Sequence, residues 1–408
     1  MIGNTHRSHL NIVFILALLL PILTGCWDRT EIESRANILG IAIDVVEDNE
    51  EQYESKLSHL DHTFPKPKKA LIQITAQIAV PGRIPLGPES GSSGSQKPVW
   101  VLSTVGHTLD DAILNLQQEI ADRLFFGHLR VIIVSDKVAK QGVGELNDYL
   151  RRNPEVRRTA WMIISNGKAS KVMESSPQLE RIPTLYLSAM MENAVLLGKF
   201  PSDFLGLFWS ASSKLGQEPF LPVVEVKRYE NTEISGLAYF HGDRMVGVLK
   251  PLEIGFFMAV KGITKGGYAA FTPVPGQKAS VLVRSRSRST QISAVMEHGR
   301  PKIKLDIHVE VDIVEKTKNT GSLNRPGILK EISAETSRHA KNTIENIIAK
   351  TQKDESDIFG FGEYIRAKLP DYWNTHIKTK ENWREQFKKL EVDIHFTTTI
   401  RRVGMRLG

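Results

Sequence analysis

From Lys302 to Val314 the chain alternates without a break between apolar and polar side chains. Ile303, Leu305, Ile307, Val309, Val311 and Ile313 stand against Lys302, Lys304, Asp306, His308, Glu310 and Asp312. Successive side chains of a strand point to opposite faces, so such a run belongs in a sheet with one dry face and one wet face. Glu391 to Arg401 repeats the pattern, with Val392, Ile394, Phe396, Thr398 and Ile400 on the apolar side. Antiparallel sheets commonly keep one solvated face, which predicts an antiparallel C-terminal sheet. The stretch between supplies its cover. Ile328, Ile332, Thr336, His339, Ile344, Ile347 and Ile348 recur at helical spacing over about 326–350, and a shorter helix over 361–369 stops before Pro370. The expectation is an α+β domain over 279–408, with its sheet packed on one long helix.

The N-terminal half has a different rhythm. Residues 38–46 read as a buried strand, Leu71–Val80 as a half-buried one and 99–104 as a third. Thr108 and Asp111 suggest a capping box opening a helix with Leu109, Ala112, Ile113, Leu116 and Ile120 on one face. A strand at 129–135, a helix at 137–150, a strand at 159–165 and a helix at 182–199 follow. This order predicts an α/β domain over 26–200 with some parallel pairing. Within it, residues 81–98 hold four Pro, four Gly and four Ser, the composition of a mobile loop. Pro201, Gly206, Gly216, Pro219 and Pro222 mark 201–222 as an irregular linker. A middle domain is expected over 223–278, with a hairpin turning at His241-Gly242-Asp243-Arg244. The whole is read as α/β and α+β, with mixed sheets and covering helices.

The 408 residues include one cysteine, Cys26, which excludes an intrachain disulfide and any zinc site built on two or more thiolates. Its position carries information. His6, Arg7 and His9 precede an apolar stretch, Leu10 to Leu23, broken only by Asn11 and Pro21. That run is short of the roughly 18–20 residues of a permanent span, so residues 1–25 read as a signal peptide. Leu23-Thr24-Gly25-Cys26 at its end matches the bacterial lipobox. There Leu23 fills an apolar pocket, Thr24 and Gly25 let a peptidase approach, and the Cys26 thiol takes a diacylglyceryl group before the freed amine is acylated. A small buried residue at a helix end is the alternative reading of Cys26. The order of charge, apolar run, small pair and cysteine favours lipid attachment. Acyl chains worth about 0.8 kcal/mol per buried methylene would hold the protein on the membrane, with its body outside the cytoplasm.

That compartment sets the meaning of a net charge of +7, from 53 Lys and Arg against 46 Asp and Glu, and argues against nucleic acid as a partner. The chain lacks G-x-S-x-G, H-E-x-x-H, P-loop and dinucleotide-binding patterns, so no catalytic residue, cofactor or metal is expected. His59-x-Asp61-His62 is the nearest approach to a metal cluster, and three loosely placed ligands without a fourth read as a solvated loop. Asp110-Asp111 and Glu119/Asp122 pair carboxylates on a helix whose first turn favours acids for dipole reasons. In Phe359-Gly360-Phe361-Gly362 the glycines read as points of close chain approach rather than a phosphate cradle. Arg284, Arg286 and Arg288 alternate with serines, which places all three on one strand face. They form either a comb for anionic head groups or an acidic partner, or a solvated face opposite Asp306, Glu310 and Asp312. The second reading is favoured.

Several stretches carry a family resemblance. Gly25-Cys26-Trp27-Asp28-Arg29-Thr30-Glu31-Ile32-Glu33, followed by Ile38-Leu39-Gly40-Ile41-Ala42-Ile43-Asp44, resembles the opening of the Ger(x)C family, the C-subunit lipoproteins of spore nutrient germinant receptors. Leu124 to Val134, Arg151 to Arg157, Gly242 to Leu249, Asp357 to Tyr364 and Ile400 to Gly404 fit the same family. The resemblance implies an elongated three-domain lipoprotein on the outer face of the spore inner membrane, working with two integral membrane subunits. Only Cys26 transfers as a defined site, and direct binding of a small molecule is not expected. The alternative is a substrate-binding lipoprotein of a transporter, a class with two similar lobes around a cleft; the unlike halves weigh against it. An extracytoplasmic hydrolase would need a carboxylate pair or metal constellation that the chain does not display.

Overall fold

The computed structural model describes residues 35–403 except 47–53, 55–56, 61–62, 82–96, 176–179, 181, 229–230, 318–322 and 324. Leu23, Thr24, Gly25 and Cys26, with the rest of the signal peptide and most of the 81–98 loop, lie outside the described residues.

The first part of the chain runs β1 (Arg35–Val45), β2 (Ile72–Ala79), β3 (Val99–Gly106), α1 (Leu109–Gln118), β4 (Arg123–Phe125), β5 (Val131–Ser135), α2 (Asp136–Gln141), α3 (Gly144–Arg152), β6 (Trp161–Ser165), α4 (Ala169–Glu174), α5 (Pro183–Leu196), α6 (Leu205–Ser213), β7 (Phe220–Val226), β8 (Thr232–His241) and β9 (Arg244–Leu249). The strands make one nine-stranded sheet in the order β3-β2-β1-β5-β6-β7-β8-β9, with β4 beside β1. Its centre, β1-β5-β6-β7, is parallel, and both flanks are antiparallel. Helices cover both faces, as parallel strands require. Ile41, Ile43, Ile132, Val134, Met162 and Ile164 face α1, α2, α3 and α6. Ala42, Val131, Ile133, Trp161 and Ile163 face α4 and α5.

Local details follow from single residues. The Asp44 carboxylate, buried in β1, accepts the first amides of α4, from Ala169 (2.7 Å) and Ser170 (2.9 Å). The helix expected over 137–150 is broken into α2 and α3 by Gly142, which sits at φ +132°. The cap of α1 is shifted by one residue: Thr108 Oγ1 accepts from Asp111 N (3.2 Å), but Asp111 Oδ2 accepts from His107 N (2.8 Å).

The second part runs α7 (Pro251–Val260), β10 (Ala269–Pro273), β11 (Ser280–Glu297), β12 (Arg300–Lys316), α8 (Ile328–Lys353), α9 (Phe361–Lys368), short turns at Pro370–Tyr372 and Trp373–Ile377, α10 (Lys380–Phe387) and β13 (Glu391–Val403). Here β10-β11-β12 are antiparallel, and β13 lies beside β12 in parallel, from Lys302↔Glu391 to Ile313↔Val403. The sheet is therefore mixed rather than wholly antiparallel. The α8–α10 connection carries the chain back to the starting end of β12, which makes a parallel return the available one. Helix α8 covers the inner face with Ile328, Ile332, Ala340, Ile344, Ile347 and Ile348, against Ile303, Leu305, Ile307 and Val309. His339 is half-exposed on the helix flank, and Ala340 takes the buried position.

Two expected boundaries differ from the observed path. Residues 201–222 contain α6 and enter β7 at Phe220, so their prolines and glycines punctuate elements rather than form a linker. Residues 223–278 are shared between the sheets: β7–β9 finish the first, while β10 starts the second through a hairpin into β11 that turns at Gly276. The hairpin predicted at 241–244 is present as the β8–β9 turn. One apolar core continues from the α4–α5 face of the first sheet to the inner face of the second.

Candidate functional site

The arginine face expected on β11 does not form. The register with β12 steps from Ser285↔Val311 to Ser287↔Glu310, so Arg286 is the extra residue of a β-bulge. The bulge inverts the alternation beyond it. Arg284, opposite Asp312, and Arg286 stay exposed, whereas Arg288 turns inward and is 4% exposed. Its guanidinium donates to the carbonyls of Gly255 (3.1 Å), Gly198 (3.1 Å) and Lys265 (2.5 Å), tying the ends of α5 and α7 to the second sheet. Burial pushes this group down to about 10, opposed by the Tyr268 phenol, so it remains cationic at neutral pH. Carbonyl dipoles rather than a carboxylate balance the charge.

Arg288 lies under an apolar groove, a space of about 380 Å³ between α7, β10, β11, α8 and β13. Phe256, Tyr268, Phe271 and Phe396 line it, and His339 stands at its side. Phe271 is 63% exposed, an uncommon position for a phenyl ring. The Arg288 Nε is buried without a hydrogen-bond partner.

A second polar constellation joins the two sheets. The Asp357 carboxylate accepts from Gly360 N (2.8 Å), Gly362 N (2.9 Å) and Trp383 Nε1 (3.1 Å). Burial pushes it up to about 6, against the pull of the Gly362, Phe361 and Gly360 amides and the Lys261 ammonium. Gly362 passes so close to Gly216 that a Cβ there would stand 2.5 Å from the Gly216 Cα and from the Trp383 ring. The Phe359–Gly362 glycines are therefore contact points between chain segments, as expected. Buried Glu218 accepts from Lys380 Nζ (3.2 Å), Arg384 Nε (2.8 Å) and Gly242 N (3.0 Å). The Tyr239 hydroxyl donates to Asp354 (2.5 Å).

The resemblance stretches meet at such joints. Glu155, in the 151–157 stretch, accepts from Phe126 N (2.9 Å) in the 124–134 stretch. Gly242 and Asp357 anchor the seam from two others. The Glu155–Phe126 and Gly242–Glu218 bonds were not legible from spacing, because each links residues more than twenty apart in the chain. The Asp110–Asp111 pair has a capping role through Asp111. Of the histidine cluster, Asp61 and His62 lie outside the described residues; His59 is buried, and its neighbours are His107 and Glu54.

Comparison with known proteins agrees with this architecture. The family described as "Spore germination protein N-terminal domain" matches residues 28–226, and "Spore germination B3/ GerAC like, C-terminal" matches residues 235–404. The chain is 24% identical to Spore germination protein KC of Bacillus subtilis (strain 168), covering 96% of this chain and 95% of that one. To Spore germination protein YndF of the same organism it is 25% identical, covering 98% of each. The crystal structure of the GerBC protein superposes with a TM-score of 0.50 at 17% identity, covering 82% of this chain and 95% of that one. The two family matches make the chain a spore germination protein with an N-terminal and a C-terminal family domain. The chain belongs to the Ger(x)C family, the C subunits of spore germination receptors.

Proposed function

We propose that this chain is the lipid-anchored, non-catalytic subunit of a spore nutrient germinant receptor. In this reading it is held on the outer face of the spore inner membrane by acyl groups on Cys26 and assembles with two integral membrane subunits. The observation that carries the reading is the junction of sequence and family. The N-terminal family domain begins at residue 28, directly after Leu23-Thr24-Gly25-Cys26 at the end of an apolar stretch. Among the described residues no helix is long and apolar enough to cross a membrane. The polar groups at the joints are engaged in structural hydrogen bonds, which supports a scaffold or relay rather than a reaction centre.

Replacing Cys26 by Ala tests the anchor and the role together. The variant is expected to leave the membrane fraction and to abolish germination with one class of nutrient. Normal germination of the mutant spores with every nutrient would refute the receptor role. Retention in the membrane fraction would refute the anchor. The transporter-associated alternative finds less support, because the first sheet is nine-stranded and covered on both faces while the second is four-stranded and covered on one.

A further inference from the structure

Three side chains from two connecting segments of the first part of the chain converge beside the β3–α1 turn. Glu54 and His59 come from the segment between β1 and β2, and His107 is the last residue before the Thr108 cap of α1. The rings of His59 and His107 are 5.7 Å apart and inclined at 73°. Both residues are more than nine-tenths buried, at 7% and 3% exposure. Glu54 Oε1 lies 2.6 Å from His107 Nε2 and 3.7 Å from His59 Nε2. Its other oxygen faces the exposed Lys66 ammonium at 3.6 Å.

The hydrogen bonding around this cluster is unusual. His107 N is fixed by Asp111 Oδ2, and His107 Nδ1 faces the Lys69 carbonyl at 3.3 Å. A proton on Nδ1 directed at that carbonyl leaves the Nε2 lone pair pointing toward Glu54. This is the arrangement by which a backbone carbonyl orients a metal-binding imidazole. Yet His107 Nε2 and Glu54 Oε1, for all their closeness, make no hydrogen bond, and His59 Nδ1 is also buried without a partner. Unpaired buried polar atoms cost about 1–3 kcal/mol each, so the facing Glu54 Oε1 and His107 Nε2, with a ligand atom of His59 within 4.8 Å of both, call for an electrophile among them.

We propose that Glu54, His59 and His107 bind one divalent transition-metal ion, of the zinc class. Two imidazoles and one carboxylate are a ligand set for zinc that leaves a fourth position for water or a group from outside. In a tetrahedral site, ligands at about 2.0–2.2 Å from the metal stand about 3.3 Å from one another. The observed separations of 2.6 and 3.7 Å bracket that value, and rotation of the Glu54 carboxylate brings both to it. The ion clips the segment before β2 onto the β3–α1 turn. Its competitor for the same space is a proton shared by His107 and Glu54. The assignment is independent of the receptor role.

The test uses the full chain in detergent, stripped with chelator and titrated with Zn²⁺ by calorimetry. One equivalent is expected to bind with a rise in melting temperature. His107→Ala and Glu54→Gln are expected to weaken that binding by about 100-fold or more, while His339→Ala, on the distant α8, leaves it unchanged. Equal binding by wild type and His107→Ala, or none by wild type, overturns the proposal. If the variants do not fold, Co²⁺ bound to the wild-type chain decides. Visible bands of a four-coordinate ion support the site, and a six-coordinate aqueous-type spectrum overturns it.

Discussion

The two sheets bury aliphatic strands by opposite means. In the first, β5 and β6 are buried along their whole length on both faces, and helices supply two cores. In the second, β12 and β13 are also parallel neighbours, yet only one face is covered. The uncovered face is stabilised by cross-strand polar contacts: Lys304 with Glu297 (2.6 Å), Arg401 with Glu310 (2.8 Å) and His308 with Thr397 (2.9 Å). Parallel pairing therefore does not by itself demand two-sided burial. A strand pair tolerates water where its outward side chains pair across the ladder.

This contrast locates the sensitive positions at the seam and in the shared core, not on the wet face. Asp357→Ala is expected to have the largest effect, about 4 kcal/mol, because it leaves three buried donors without an acceptor; urea denaturation reads it. Gly362→Ala should follow at about 3 kcal/mol, since its Cβ has no room beside Gly216 and Trp383. Next come the arginines of β11. Arg288→Leu abandons three carbonyls and should destabilise by about 2 kcal/mol, whereas Arg284→Leu should stay within about 0.5 kcal/mol. Equal effects would restore the single arginine face and remove the consequence of the bulge. A further expected effect is one of pH. Asp357 is raised from 3.8 to about 6 in the fold, so the folded state holds its proton more tightly. Its contribution to stability is greatest below pH 4, declines as pH rises to about 6, and is constant above. Denaturation midpoints of wild type and Asp357→Asn should diverge across that window.

How much of this was legible depends on the range over which each cause acts. The 302–314 alternation, the α8 periodicity and the β8–β9 turn are local signals, and they were read correctly. Parallel pairing of β13 was not, because alternation reports which side of a strand is dry and is silent on strand direction. The 201–222 segment was misread because Pro219 and Pro222 look like breakers, although β7 accommodates Pro222 opposite Leu237. The arginine comb failed for a related reason: one inserted residue at Arg286 reverses every later side chain, and nothing in the Arg-Ser repeat marks where the insertion falls. His59 drew attention through its neighbours Asp61 and His62. Of its structural partners, Glu54 lies in the same segment, and His107 is brought to it by the pairing of β2 with β3.

The parallel return of β13 also sets an order of events for a chain that emerges from its N-terminus. β12 acquires one neighbour, β11, as soon as the hairpin between them emerges. Its other neighbour arrives only after α8, α9 and α10 have passed. Until residues near 403 have emerged, the inner face of the second sheet has its helical lid but an open edge. Since that face shares its core with the first sheet, the last strand to arrive completes the packing of both, and a chain cut short before Glu391 would leave the long strand β12 as the sheet edge in place of β13.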